Sequence, residues 1–300
     1  MSEQHDLVTI ALHCGKQDYY PLVENYLKSL LICVEYPNIE VMLVETGGNK
    51  DIRDWFERLD FSKNFVNFDG TETNVTKHPG TKMQKSLVFL DPDPDDIWYM
   101  CYVKGMKAAI KHGKGKYFVL SAEDNQFNVK GDVISDYIGL LESPGNEKSF
   151  VHFFSQQAYK YKKRNNSFTG PHQNNGFDYY EVKQERLTSK WCPFGLTNIE
   201  HYTTLGEITV PKHDDHPHIP WEEYAEKVYQ MGYKRFYPQL SHGVWMYNND
   251  RTEYINKIKT NTKNNPNYVL YGIGMYDELK KVKSSLPFST DNFVLSGEKE

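Results

Sequence analysis

The chain has 300 residues, a length that allows one large domain or two small ones. Its formal net charge of −5 gives no global positive field for nucleic acid, while 39% apolar residues are enough for a packed core. No apolar run reaches the roughly 18 to 20 residues that span a bilayer, and the polar residues 1–6 lack a signal-peptide core. We therefore expect a cytoplasmic protein with no transmembrane segment and no nucleic-acid partner, which leaves peripheral membrane contact open.

The first part of the chain predicts alternating strands and helices. Residues 7–12 and 39–44 are continuous apolar runs typical of buried parallel strands. Between them, leucines at helical spacing over residues 22–31 follow Pro21, a residue suited to a first helical turn. A second helix is predicted over residues 51–59. This β-α-β-α order favours a parallel sheet with helices on its faces.

An acidic cluster follows the next apolar run, residues 117–120. It consists of Glu123, Asp124 and Asn125, and predicted helices over residues 99–112 and 131–142 flank it. Side chains at the carboxyl end of a strand in an open α/β sheet face the crevice where ligands bind. Carboxylates there are suitable ligands for a hard divalent cation that also contacts phosphate. The alternative from these residues alone is a solvated acidic turn.

Other motifs in the sequence predict loops, strands and helices rather than functional sites. The Asp-Pro run over residues 91–96 predicts a stiff exposed loop, since no strand directs its carboxylates into a crevice. The basic stretch over residues 160–166 predicts a solvated hairpin or loop. Short strands are expected at residues 65–68, 86–90, 150–154 and 235–237, and helices at residues 221–232 and 276–282. The four cysteines (Cys14, Cys33, Cys101, Cys192) form no CxxC pair and indicate buried free thiols.

The order of these elements resembles the GT-A fold glycosyltransferases, particularly the family 2 type. The resemblance rests on a strand ending at His13, a Tyr36-Pro37 break, a strand ending at Glu45, and the 113–116 turn leading to the acidic cluster. It covers residues 7–142 well and residues 190–247 weakly. It implies an α/β fold with a Rossmann-like, mostly parallel sheet in a single domain, 1–300. Within it, residues 1–145 would bind a nucleotide sugar, residues 146–250 the acceptor, and residues 251–300 would form a helical tail.

The resemblance implies transfer of a sugar from a UDP- or GDP-linked donor to a hydroxyl acceptor such as a glycan, by an inverting displacement. It also implies a divalent cation, Mn²⁺ or Mg²⁺. Asp124 is the first candidate metal ligand and Glu123 the second, and Asn125 either offers a neutral oxygen or shapes the turn. His242 is a further candidate ligand. The nucleotide is expected to contact Ala11, Leu12, His13, Glu45, Thr46 and Glu123.

An inverting transferase needs a general base near the acceptor hydroxyl, and the family carries a carboxylate at the start of a helix. Glu223 is the candidate base, with Glu222 behind it and Asp215 third. The alternative is that the two glutamates are ordinary carboxylates favoured by the helix dipole. The histidine- and aspartate-rich residues 212–218 favour a loop near the acceptor over a transition-metal site, because Pro217 disrupts regular spacing.

The sequence departs from the family pattern at three positions. Glu45-Thr46 stands for the usual Asp-Asp, Glu123-Asp124-Asn125 for the usual Asp-x-Asp, and residues 101–104 replace the usual Arg-Asn. These changes keep open an inactive GT-A domain that serves as a carbohydrate-binding or scaffolding module. A nucleotidyltransferase is disfavoured, because residues 13–16 are too poor in glycine for a phosphate loop.

Overall fold

A computed structural model describes residues 5–93, 95, 98–152, 168–183, 195–206, 227–238, 243–245 and 251–264. Its thirteen strands are β1 (Val8–Cys14), β2 (Asn38–Glu45), β3 (Phe65–Val66), β4 (Glu72–Thr73), β5 (Lys82–Phe89), β6 (Tyr117–Ala122), β7 (Asn125–Phe127), β8 (Ser149–His152), β9 (Phe168–Asn174), β10 (Phe177–Val182), β11 (Gly195–Asn198), β12 (Lys234–Pro238) and β13 (Gly243–Trp245). Its helices are α1 (Tyr20–Cys33), α2 (Lys50–Arg58), α3 (Trp98–His112), α4 (Val133–Leu141), α5 (Glu200–Leu205) and α6 (Arg251–Asn264), with a short 3-10 turn at Gln17–Tyr19. Residues 227–230 are also helical.

Nine of the strands form one sheet in the order β5-β2-β1-β6-β11-β8-β12-β10-β9. The neighbours β5, β2, β1 and β6 are parallel to one another. β11 runs antiparallel to both β6 and β8, so β8 and its parallel neighbour β12 point the same way as β1. Six strands thus end on one side of the sheet, called here the carboxyl edge. The mostly parallel α/β architecture expected from the sequence is confirmed.

Apolar side chains cover both faces of this sheet. On one face α1, α2 and α4 pack over β1, β2 and β6 around residues such as Ile10, Leu43 and Val119. On the other face α3 and α5 pack over Ala11, Met42 and Phe118. Because β1 is covered on both faces, all seven of its residues are buried. This burial explains why the strand is a continuous apolar run rather than an alternating one.

The turn before β6 is held by polar groups and by a glycine. The Glu40 carboxylate accepts hydrogen bonds from Thr9 Oγ1 at 2.6 Å and from the Lys114 backbone nitrogen at 2.9 Å. A Cβ at Gly115 would lie 2.6 Å from the Thr9 backbone nitrogen and 2.7 Å from the Leu7 carbonyl oxygen. Backbone atoms cannot move aside as a side chain can, so glycine is required there. The turn therefore fixes where β6 enters the sheet and where it ends.

Several sequence predictions fall outside the described residues. These are residues 153–154 of the strand expected at 150–154, the basic stretch 160–166, the first six residues of the helix expected at 221–232, the helical pattern at 276–282, and Cys192. Among the described residues, every helix is too short or too polar to cross a membrane.

Candidate functional site

Three strands bring their ends together at the centre of the carboxyl edge. Register pairs Cys14 with Glu45 on β2, and His13 with Ala122 on β6. Beyond the strands, the backbone nitrogen of Thr46 donates to the Cys14 carbonyl at 2.9 Å, and that of Glu123 donates to the His13 carbonyl at 3.1 Å. The predicted nucleotide-contacting residues of β1, β2 and β6 therefore do lie side by side.

His13 is held in a buried pocket between β1 and α3. Its Nε2 atom lies 3.0 Å from Thr46 Oγ1, and its ring packs edge-on against Tyr102 with the centroids 4.6 Å apart. The residue is 4% exposed. A Cβ on Gly105 would come within 2.7 Å of His13 Cδ2, so α3 approaches the imidazole through this glycine. His13 is thus enclosed by Thr46 and by Tyr102 and Gly105 of α3, and it does not present an open ring face for base stacking.

Glu45 shapes the loop that leads from β2 into α2. One carboxylate oxygen accepts from the Gly47 backbone nitrogen at 2.8 Å, and the other accepts from that of Asn49 at 3.1 Å. Burial raises the pKa of Glu45, and these backbone hydrogen bonds partly offset the shift. Asn49 in turn caps α2, since its side chain accepts from the Ile52 backbone nitrogen at 3.1 Å. The Glu45 carboxylate therefore holds the loop between β2 and α2 in place through its backbone nitrogens.

The acidic cluster is buried where β6 ends. Glu123 is 4% exposed and Asp124 is 1% exposed. Asn125 Nδ2 donates to Ser121 Oγ at 3.0 Å, a contact that favours the turn-shaping alternative for this amide. Two adjacent carboxylates in a protein crevice are costly to bury as anions, and a bound cation lowers that cost.

The donor set at this cluster suits a hard divalent cation that keeps phosphate or water among its ligands. It offers two carboxylates and no sulfur ligand, the pattern that Mg²⁺ and Mn²⁺ favour. Over the described ranges no group of three or more His, Cys, Asp or Glu side chains gathers around one point.

Helix α1 supports the strand that follows the acidic cluster. Ser29 Oγ accepts from the Phe127 backbone nitrogen at 3.0 Å, and Asn25 Nδ2 donates to Gln126 Oε1 at 3.0 Å. On its other side β7 pairs antiparallel with β13, which places Trp245 opposite Asn125 in register. The cluster is therefore anchored to β6, to α1 and to β13.

Two of the three described cysteines are buried. Cys14 is fully buried, and burial together with the nearby Glu123 charge raises the pKa of its thiol well above the ordinary range. Cys33 is buried as well, whereas Cys101, at the start of α3, is half-exposed, contrary to the expectation that every thiol is buried.

The candidate bases Glu223, Glu222 and Asp215, the residues 212–218 around Asp215, and His242 lie outside the described residues. Their roles remain predictions.

Sequence reasoning missed a second polar group at the carboxyl edge. Arg235 on β12 is 3% exposed, and its NH2 atom lies 3.2 Å from His152 Nε2 on β8. The His152 ring stacks on that of Tyr237, with centroids 3.8 Å apart and planes 16° apart. His152 and Arg235 are 83 positions apart, and neither belongs to a local motif. Only the sheet pairing reveals the group.

Comparison with known proteins gives structural similarity without sequence similarity. No family model and no curated protein matches the chain. A crystal structure of S. aureus TarS residues 1–349 is 12% identical with a TM-score of 0.47, covering 87% of this chain and 66% of that one. The same TarS fragment in complex with UDP-GlcNAc is 13% identical with a TM-score of 0.45, covering 80% and 57%.

A mannosyltransferase from Pyrobaculum calidifontis, PcManGT, in complex with GDP-Man and Mn²⁺, is 16% identical with a TM-score of 0.48. The match covers 86% of this chain and 61% of that one. The chain thus spans less than two thirds of the length of these three structures. At such identities the similarity concerns the fold alone. Since all three TM-scores are below 0.5, the site residues are assigned from their own geometry.

Proposed function

We propose that this chain is a glycosyltransferase that uses a nucleotide-diphosphate sugar, linked to UDP or GDP, and a divalent cation, Mn²⁺ or Mg²⁺. The acceptor is a hydroxyl, such as that of a glycan, and the displacement is inverting. The observation that carries the proposal is the burial of Glu123 and Asp124 at the carboxyl end of β6, beside the ends of β1 and β2. This is the position at which α/β sheets bind ligands.

In this proposal the first half of the chain binds the donor. The loops after β1 and β2 line the nucleotide, with the backbone of Ala11 and Leu12 below it and His13 and Thr46 at the floor. Glu45 keeps its loop in place through the Gly47 and Asn49 backbone nitrogens. Glu45, Glu123 and Asp124 place carboxylates at this edge, and so a cation would support binding of an anionic diphosphate.

Asp124 and Glu123 would hold that cation, and Asn125 would keep the turn closed through Ser121. When bound, a divalent cation neutralises the negative charge that develops on the leaving diphosphate. Three connections resist movement of the carboxylates: the Glu123 backbone bond to His13, the Asn125 amide bond, and the pairing of β7 with β13. Such rigidity lets the site meet developing charge without reorganising.

The second half would shape the acceptor site, with Glu223 as the base that removes the acceptor proton. Glu222 and Asp215 are the alternatives, and His242 would complete the metal ligands. The sheet continues through β11, β8 and β12 on this side, and β8 and β12 end at the same edge as the acidic cluster.

A thermal-shift screen of UDP- and GDP-linked sugars tests the proposal. A ligand that binds the folded state raises the apparent melting temperature. We expect a shift that requires Mn²⁺ or Mg²⁺ in the wild type and disappears in Asp124→Ala. Asp60→Ala, at an exposed position just after α2, is the matched control and should keep the shift. If every nucleotide sugar leaves the wild-type melting temperature unchanged, the proposal is wrong.

A second candidate function follows from the altered acidic motif. An inactive GT-A domain would bind a carbohydrate or another protein without turnover. Such a module should keep its ligand after Asp124→Ala, which separates it from the enzyme.

A further inference from the structure

His152 lies at the carboxyl edge outside the donor site. It is the last residue of β8, and it pairs across the sheet with Gly195 on β11. Since β11 alone separates β8 from β6, the two parallel strands are two spacings apart, about 10 Å. Register places His152 level with Leu120, three residues before Glu123, which adds about 10 Å along the strands. This distance places His152 in the acceptor half, too far away to contact a diphosphate held at Glu123 and Asp124.

Two contacts fix the His152 side chain. Its Nε2 atom lies 3.2 Å from Arg235 NH2, and its ring lies against Tyr237 at a centroid distance of 3.8 Å. The residue is 5% exposed. A stacked ring with one nitrogen tied to a buried guanidinium has little freedom to rotate.

The Arg235 contact determines which ring nitrogen carries the proton. A guanidinium has donors and no acceptor, so His152 Nε2 must accept and must itself be unprotonated. Burial and the adjacent Arg235 charge both lower the pKa of His152 well below its ordinary value, so the ring is neutral. A neutral ring with a bare Nε2 carries its proton on Nδ1. Among the residues that the structure describes, none accepts a hydrogen bond from that Nδ1–H.

We propose that the Arg235–His152 pair is an acceptor-binding element, in which His152 presents a fixed Nδ1–H donor to an oxygen of the acceptor substrate. This inference rests on the proposed function, because only a transferase has an acceptor substrate. His152 is a binding residue here and not the general base, because its free nitrogen already carries a proton and its other nitrogen is occupied. The ligand chemistry is a hydrogen-bond-accepting oxygen, supplied either by a phosphate or carboxylate group or by a neutral sugar hydroxyl.

The test is long-range ¹H–¹⁵N spectroscopy of the full chain labelled at its histidines, with His152→Gln used to assign the signal. The ligand-free protein should show an unprotonated Nε2 and a protonated Nδ1 at neutral pH. A protonated Nε2, or a doubly protonated ring, overturns the inference. His172→Gln, on the exposed strand β9, is the control and should leave the His152 signal unchanged.

Two probes then identify the source of the oxygen: inorganic phosphate and methyl glucopyranoside, each titrated at millimolar concentration. A shift of the Nδ1–H signal with phosphate alone indicates an anionic acceptor, and a shift with the glycoside alone indicates a neutral glycan. No shift with either probe overturns the inference. His152→Phe keeps the stack on Tyr237 but lacks the donor, so it should weaken binding of the active probe about tenfold, while His152→Gln, which keeps an N–H, should stay within about threefold.

Donor binding is measured separately by the nucleotide-sugar thermal shift, in wild type and in His152→Phe. If that shift is absent in both while the Nδ1–H responds to a probe, the proposed function fails and the oxygen site stands. If the thermal shift is present in both proteins and the Nδ1–H responds to no probe, the proposed function stands and the oxygen site at His152 is refuted.

Discussion

Replacing Gly105 by alanine tests whether α3 rests directly on His13. In a helix interior, glycine to alanine normally stabilises by about 1 kcal/mol. At Gly105 the new Cβ would lie 2.7 Å from His13 Cδ2 and 3.0 Å from Thr46 Cγ2, so the pocket must expand. Overpacking of this kind costs about 1–3 kcal/mol. We therefore expect the variant to be between neutral and about 2 kcal/mol less stable.

Gly139 in α4 supplies the matched control, because a Cβ there meets no heavy atom within 4 Å. Urea denaturation should show Gly139→Ala to be stabilised by about 1 kcal/mol, which sets the two variants about 1–3 kcal/mol apart. Adding His13→Ala to Gly105→Ala should recover part of the loss, as a coupling of about 1–2 kcal/mol in a double-mutant cycle. Equal stabilisation by the two glycine replacements would refute the reasoning.

Three further predictions concern stability and reactivity. Gly115→Ala should lose about 3 kcal/mol or more in urea denaturation, because its Cβ would lie 2.6–2.7 Å from three backbone atoms; a loss below about 1 kcal/mol would contradict the close approach. Iodoacetamide at neutral pH should alkylate Cys101 in the native protein and spare Cys14 and Cys33, as read by mass spectrometry, since burial raises the pKa of both inner thiols. The pKa of His152 is lower in the folded protein than in the unfolded chain, so the unfolded chain binds a proton at this imidazole more tightly. The contribution of His152 to the free energy of unfolding is therefore lost as the pH falls below 6.5. In His152→Phe the fall in unfolding free energy below that pH should be smaller than in wild type, and an unchanged slope would contradict the shift.

The first half of the chain was predictable because its segments carry strong local signals. The apolar runs correspond to β1, β2 and β6, and the helical spacing corresponds to α1, α3 and α4, with ends that differ by a few residues. Buried parallel strands are apolar on both faces, so the signal does not depend on knowing the partner strand. The position of the acidic cluster after β6 followed from that pattern.

The missed strands are short or polar, and their partners are remote in sequence. β7 contains only Asn125, Gln126 and Phe127, and it is a strand because it pairs with β13, more than a hundred residues away. β9 contains Pro171 and six residues that are partly or fully exposed, and it is the last strand of the sheet. Proline is tolerated at such an edge but argues against a strand in sequence reasoning.

Polar contacts between strands were likewise invisible in the sequence. The buried state of His13 depends on the close approach of α3 at Gly105, and Glu45 could be assigned to its loop only from the Gly47 and Asn49 hydrogen bonds. The His152–Arg235 contact depends on β8 and β12 being neighbours. Such contacts arise from topology, which no local window contains.

The most direct test of the central claim is the release of UDP or GDP from nucleotide sugars, measured in the presence of Mn²⁺ or Mg²⁺. We predict that wild-type protein releases nucleoside diphosphate from at least one donor, that chelation of the metal stops the release, and that Asp124→Ala lowers the rate at least a hundredfold, about 2.7 kcal/mol of transition-state stabilisation. Asp60→Ala should retain the wild-type rate. Release that persists at the wild-type rate in Asp124→Ala, or no release from any donor by the wild type, would contradict the assignment of the acidic cluster as the diphosphate-binding part of a sugar transferase.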